Sequence, residues 1–149
     1  MAVKLVKPIN HKKVVKITNQ DFEAKMRELR VNSDIAVAVS GGPDSLALMH
    51  LSNRYALNNN INLTVLSIDH GIRAESSKEI VWLEKIAKKN KINFYSTKLK
   101  KKINSSNTLS KARTLRYEAL SKYCNKKKIK FLLTAHHLDD EIENFLMRL

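Results

Sequence analysis

Cysteine, glycine and proline are scarce in this chain of 149 residues: one Cys, three Gly and two Pro. A lone thiol, Cys124, excludes an internal disulfide, a four-cysteine zinc site and a CxxC redox pair. So little Gly and Pro excludes collagen-like and low-complexity classes, and 43% hydrophobic residues argue against wholesale disorder. No apolar run approaches the roughly 18–20 residues that a membrane-spanning helix needs. The opening stretch MAVKLVKPINHKK has no apolar core and no small-residue cleavage site, so it does not read as a secretion signal. These absences predict a soluble chain in a reducing, cytoplasmic setting with no membrane partner. The length suits one domain of the usual roughly 100–200 residues.

Acidic residues are also few. Fourteen Asp and Glu face 28 Lys and Arg, a net charge of +14. Lys and Asn share AT-rich codons, so codon usage supplies part of this excess. The distribution says more than the total. Lys98–Lys130 holds ten Lys and two Arg against the single acid Glu118, whereas Phe131–Leu149 is net −3. A basic block beside an acidic end is a polarised surface, and it points to a polyanionic partner such as nucleic acid.

Residues 1–17 are basic and weakly patterned. Thr18 or Asn19 can cap a helix, with Asp21 and Glu23 suited to its positive end and Phe22, Met26 and Leu29 on one face. Ile35–Val39 is short, wholly apolar and β-branched, as in a strand buried on both faces. Further strands are predicted at Leu63–Ile68, Asn93–Thr97 and Lys130–Ala135. Helices are predicted from Leu46, from Ser76 with Ile80, Leu83 and Ala87 inward, over Leu109–Tyr123, and over Glu141–Leu149. Trp82 and Tyr117 lie at helical spacing among apolar residues and are expected in the core. This α/β alternation predicts a doubly wound parallel sheet with helices on both faces. Ligands of such sheets bind beyond the carboxyl ends of the strands. Here those ends carry Ser40, Asp69, Thr97 and His136. The final helix pattern runs to Leu149 without Gly, Pro or a capping residue, which suggests a chain cut within or just after a helix.

Ser40-Gly41-Gly42-Pro43-Asp44-Ser45 falls between the first strand and a helix. Two glycines permit a tight turn and close approach to a ligand, and helix-start N–H groups favour an anion. Ser40 and Ser45 add hydroxyls. Asp44 would repel a phosphate unless a bound Mg²⁺ bridged the two. Neither GK[ST] nor GxGxxG is present, so this is no Walker or dinucleotide loop.

SGGxDS after an apolar strand resembles the PP-loop of the ATP pyrophosphatases, which cleave ATP between the α- and β-phosphates and adenylate an acceptor. Three more segments resemble those of the tRNA(Ile)-lysidine synthetases, in the family order. They are Asp69-His-Gly-Ile-Arg73, Ala112-Arg-Thr-Leu-Arg-Tyr117, and the stretch from Thr134 to Leu149, which is similar to TAHHxDDQxETxLMRL. Glu141 and Asn144 depart from the common Gln and Thr, the leader is longer than usual, and the family's carboxyl-terminal domains are absent. The expected organisation is a basic leader with an amphipathic helix at 1–30 and a PP-loop ATP-binding domain at 31–149, truncated at its carboxyl end.

The resemblance implies an ATP-dependent ligase that joins L-lysine to the wobble cytidine of a tRNA(Ile) with a CAU anticodon, using ATP and Mg²⁺. It places ATP at Ser40, Gly41, Gly42, Pro43, Asp44, Ser45, Asp69 and His70. Asp44, Arg113, Arg116, His136 and Asp140 are the implied catalytic set, with Asp44 and Asp140 as Mg²⁺ ligands and Glu143 facing the lysine ammonium. Arg113 and Arg116, three apart, project to one side of a helix, and either could clamp phosphate. His136-His137-x-Asp139-Asp140 could also bind zinc or iron, though no further ligand set is visible. Lys98–Lys102 and Lys126–Lys130 would meet RNA phosphates. A homodimer is compatible with the sequence. The alternatives are another PP-loop enzyme such as a tRNA thiolase, against which the lone Cys124 speaks, and a non-catalytic nucleotide- or RNA-binding fragment.

Overall fold

The computed structural model describes residues 17–69, 76–98, 108–135 and 146–148. In chain order the elements are α1 (Asn19–Glu28), β1 (Ile35–Ala38), α2 (Pro43–Asn59), β2 (Leu63–Asp69), α3 (Ser76–Lys89), β3 (Asn93–Lys98), α4 (Thr108–Lys127), β4 (Phe131–Thr134) and β5 (Leu146–Arg148). The sheet order is β3-β2-β1-β4-β5, with the first four strands parallel. The apolar runs become the inner strands because both of their faces are covered. On one face Ile35, Val37, Val65, Phe131 and Leu133 pack with Met26 of α1, Met49 of α2, and Leu83 and Ala87 of α3. On the other, Ala36, Leu66 and Leu132 meet Leu120 and Cys124 of α4. Successive β1 residues therefore serve opposite layers, as the two-residue period of a strand requires. This is the doubly wound α/β architecture that the alternation predicts.

Position in the sheet sets where a ligand can bind. β1 is flanked by β2 on one side and β4 on the other, so the chain leaves β1 toward one half of the sheet and returns to the other. A crevice opens at the carboxyl end of such a switch point.

The four helices stop without glycine. Arg30, Asn60, Lys91 and Lys128 take left-handed backbone angles, φ 55°, 54°, 56° and 56°. The next residue is each time Val or Ile, and its N–H donates five residues back: Val31 to Met26, Ile61 to Ala56, Ile92 to Ala87 and Ile129 to Cys124, at 2.9–3.1 Å. This is the Schellman closure, with a β-branched side chain turned inward where glycine usually provides only freedom of φ. At the other end of α1, Thr18 and Asp21 form a reciprocal capping box.

Two expectations fail here. Leu146–Arg148, expected in a helix, pairs antiparallel with β4. The open edge of β4 offers unpaired backbone groups that a short apolar segment can satisfy. Trp82, expected in the core, is 46% exposed, because the buried side of α3 is taken by Leu83 and Ala87.

Candidate functional site

The loop after β1 is held by its own serines. Ser45, buried in the first turn of α2, accepts from the Ser40 N–H at 3.3 Å and donates to the Gly42 carbonyl at 2.9 Å. The Ser40 hydroxyl donates to Ser45 Oγ at 3.4 Å. Gly41 has φ +89°, where a Cβ would strain the backbone although nothing lies within 4 Å of where it would project. Gly42 differs: its φ is −71°, and a Cβ there would meet only Ser40 Oγ at 3.8 Å, an ordinary contact. The fold would thus tolerate a side chain at Gly42, and glycine there leaves the space over the loop open. Pro43 occupies the first position of α2, and no side chain caps this helix end. Its amino-terminal dipole and N–H groups are therefore presented to whatever binds above the loop. Asp44 is exposed in the same turn.

A crevice of about 50 Å³ lies beside this loop. It is lined by Ala38 of β1 with Val39 and Ser40 after it, from β2 by Leu66 and Ile68, from β4 by Thr134, and from α4 by Arg116, Tyr117 and Leu120. A nucleotide, which needs several hundred Å³, would rest on this floor rather than within it. Thr134 is only 7% exposed, and its hydroxyl has no hydrogen-bond partner among the described residues. Buried polar groups are normally paired, so this hydroxyl keeps its donor open to a ligand resting on the floor.

The candidate residues divide. Ser40, Ser45 and Arg116 come together at the crevice. Arg113, one turn earlier on α4, does not line it; its guanidinium carbon sits 5.9 Å from the Tyr117 ring centroid. Asp69 is 5% exposed at the end of β2, with a carboxylate oxygen 3.7 Å from Lys98 Nζ on β3. His70, Arg73, His136, His137, Asp139, Asp140 and Glu143 lie outside the described residues. So do Lys100–Lys102. Lys98 ends β3 on the crevice side, whereas Lys126–Lys130 precede β4 at the opposite edge of the sheet. No cluster of three metal-ligating side chains occurs among the described residues. Thr134, Tyr117 and the apolar lining were given no site role by sequence reasoning. For Thr134 the available signal was its place as the last residue of a strand bound for a ligand-binding edge.

Comparison with known proteins agrees with this geometry. tRNA(Ile)-lysidine synthase of Rickettsia bellii is 48% identical over 117 residues, 78% of this chain and 27% of that protein. The Rickettsia typhi protein of the same name is 41% identical over 133 residues, 87% of this chain and 31% of that one. The chain thus spans about three tenths of the length of these relatives. Among solved structures, the U34-tRNA thiolase NcsA of Methanococcus maripaludis, described with its [4Fe–4S] cluster, superposes with a TM-score of 0.69 at 26% identity, covering 81% of this chain and 46% of that one. An NH3-dependent NAD synthetase from Campylobacter jejuni shares the fold, with a TM-score of 0.61 at 16% identity over 84% of this chain and 59% of its own. The family pattern of the PP-loop domain matches residues 10–149, and to that family this chain belongs.

Proposed function

We propose that this chain is the nucleotide-binding part of a tRNA(Ile)-lysidine synthase. The observation that carries the reading is the uncapped start of α2, reached through Gly41 and facing a crevice that holds Arg116 and Thr134. The relatives are named for making lysidine in tRNA(Ile), and the family resemblance of the sequence implies two steps. The C2 oxygen of the wobble cytidine attacks the α-phosphorus of ATP and pyrophosphate leaves. The amine of L-lysine then attacks C2 and AMP leaves, giving lysidine.

The chain's own residues have separable tasks. The N–H groups opening α2 receive a phosphate, and the open space at Gly42 admits it closely. Arg116 offers a fixed fork of donors to charge developing on phosphorus. The Thr134 hydroxyl donates to the same ligand from the floor. Asp44, with Asp140 as its intended companion, would hold Mg²⁺, which when bound offsets phosphate charge. The thiolase alternative fits this chain poorly. Iron–sulfur clusters are held by several cysteine thiolates. This sequence has only Cys124, whose burial between α4 and the sheet pushes its thiol up to about 11.

Exchange of labelled pyrophosphate into ATP in the presence of unmodified tRNA(Ile), measured on a chain extended to the relatives' length, tests the first step. Lysine incorporation with the mass of lysidine tests the second. Absence of exchange, or exchange unchanged by Asp44→Ala, overturns the adenylation reading; a thiolated nucleoside transfers it to the alternative.

A further inference from the structure

Helix α3 turns a basic and aromatic face to solvent. Lys78, Val81, Trp82 and Lys85 line a shallow hollow on it. At about 100° per residue these four share one side of the helix with Lys88 and Lys89, all of them exposed. The opposite side, with Leu83 and Ala87, is sealed in the core. Glu79 and Glu84 fall roughly a quarter turn or more from the middle of the basic stripe, so they border it without interrupting it. At the centre lies the only Trp of the sequence, 46% exposed beside Val81, which is 49% exposed. This large aromatic is left about half in water between lysines and is not part of the buried core.

We infer that this face is a nucleic-acid contact surface, in which Trp82 stacks on an unpaired base and Lys78, Lys85, Lys88 and Lys89 meet phosphates. The inference rests on the RNA-substrate reading above and extends it to a surface away from the crevice. Charge complementarity selects the occupant. A membrane-surface helix needs a broad apolar face, and the broad apolar face of α3 is already buried. A two-fold contact with a second copy would set these same lysines against themselves. RNA satisfies both parts of the surface: its phosphates neutralise the lysines, and every base has a flat face for an aromatic ring. The stripe runs about 17 Å from Lys78 to Lys89 at 1.5 Å per residue, enough to follow several nucleotides. It is separate from Lys126–Lys130, at the end of α4, which packs on the other face of the sheet.

Because Trp82 is the only Trp, its fluorescence reports this surface directly. The 149-residue chain is titrated with an unmodified tRNA(Ile) transcript, with far-UV circular dichroism to verify folding of each variant. The expected result is saturable quenching that weakens with salt. Trp82→Ala, followed by filter binding, should weaken tRNA binding about tenfold at an unchanged salt slope, and Trp82→Phe should restore part of it. The double variant Lys78→Glu/Lys85→Glu should reduce the salt slope by about 1.5, near 0.7–0.9 for each phosphate no longer neutralised. Stabilisation of the chain by ATP should be unaltered in all three variants. If ATP stabilises the chain but tRNA leaves Trp82 fluorescence and the variants' affinities unchanged, this surface assignment is overturned while the nucleotide reading stands. If wild-type chain responds to neither ATP nor tRNA, the functional reading falls with it. A response to phosphatidylglycerol vesicles without one to tRNA, or to protein concentration alone, overturns RNA as the occupant.

Discussion

Thr134→Val separates the stability of the fold from its capacity to bind a ligand. The substitution replaces a hydroxyl by a methyl of nearly the same size, at a site 7% exposed on the crevice floor. A buried hydroxyl without a partner carries an uncompensated desolvation of about 1–3 kcal/mol, and the described residues offer this one no partner. Removing it should stabilise the unliganded chain by about 1 kcal/mol. With an unfolding entropy of about 2.1 cal/mol/K per residue, that is a rise of about 3 °C in Tm. Ligand binding should move the opposite way. ATP at a hundredfold its Kd stabilises by about 2.7 kcal/mol, which corresponds to about 9 °C on the same entropy. A variant that binds tenfold more weakly would gain only about 5 °C at that concentration. Thermal melts by circular dichroism with and without ATP read both effects. A Tm that falls by several degrees with the ATP shift intact would show that the hydroxyl holds the fold together, and would refute the reasoning.

The two glycines of the loop should respond differently to alanine. Gly41→Ala forces φ +89° on a residue with a Cβ and should cost about 1–2 kcal/mol in urea unfolding, whereas Gly42→Ala should cost under about 0.5 kcal/mol yet abolish ATP stabilisation. Equal costs would remove the distinction drawn between them. Lys128→Gly relieves a left-handed residue at the end of α4 and should stabilise by about 0.5–1 kcal/mol after the added freedom of the unfolded chain, seen as a higher urea midpoint at constant slope. Cys124, its thiol raised by burial to about 11, ionises in the unfolded chain first. Stability should therefore be insensitive to this group below about pH 9 and fall as pH rises from there to about 11. Cys124→Ala should flatten that part of the profile; an identical alkaline slope in both proteins would exclude the thiol as its source.

The layered fold was legible because β1 and β4 begin as apolar runs, β2 carries Leu63, Val65, Leu66 and Ile68, and a helix-length segment lies between each strand and the next. Such runs have few alternatives to a sheet covered on both faces. The loop was legible because Gly41-Gly42 falls where the central strand meets a helix. Other features were hidden for physical reasons. Helix ends are usually marked by Gly or Pro, but here Arg30, Lys91 and Lys128 take the left-handed position, and the signal is the Val or Ile that follows. Trp82 looks like core by neighbourhood. Its offset of one residue from Leu83 turns it about 100° away, so Leu83 and Trp82 could not both face inward on a two-sided helix. Arg113 and Arg116 share a helix side by spacing, yet only the packing of α4 shows which reaches the crevice. Thr134 had only its place at a strand end to mark it, since Thr is an ordinary strand residue and its lack of a partner among the described residues shows only in three dimensions.

The position of β1 also sets an order of events during synthesis. β3, β2 and β1 pair with near neighbours in sequence, but Ile35 must wait for Phe131, nearly a hundred residues later. A loop of that length is closed only against a large entropy cost, and is rewarded only when β4 docks. At about 5–20 residues per second, the ribosome would display the glycine loop for several seconds before Thr134 and Arg116 could come to lie beside it. A growing chain in that interval should own a half-sheet and no crevice. ATP should therefore begin to protect nascent chains from protease only once β4 has cleared the exit tunnel.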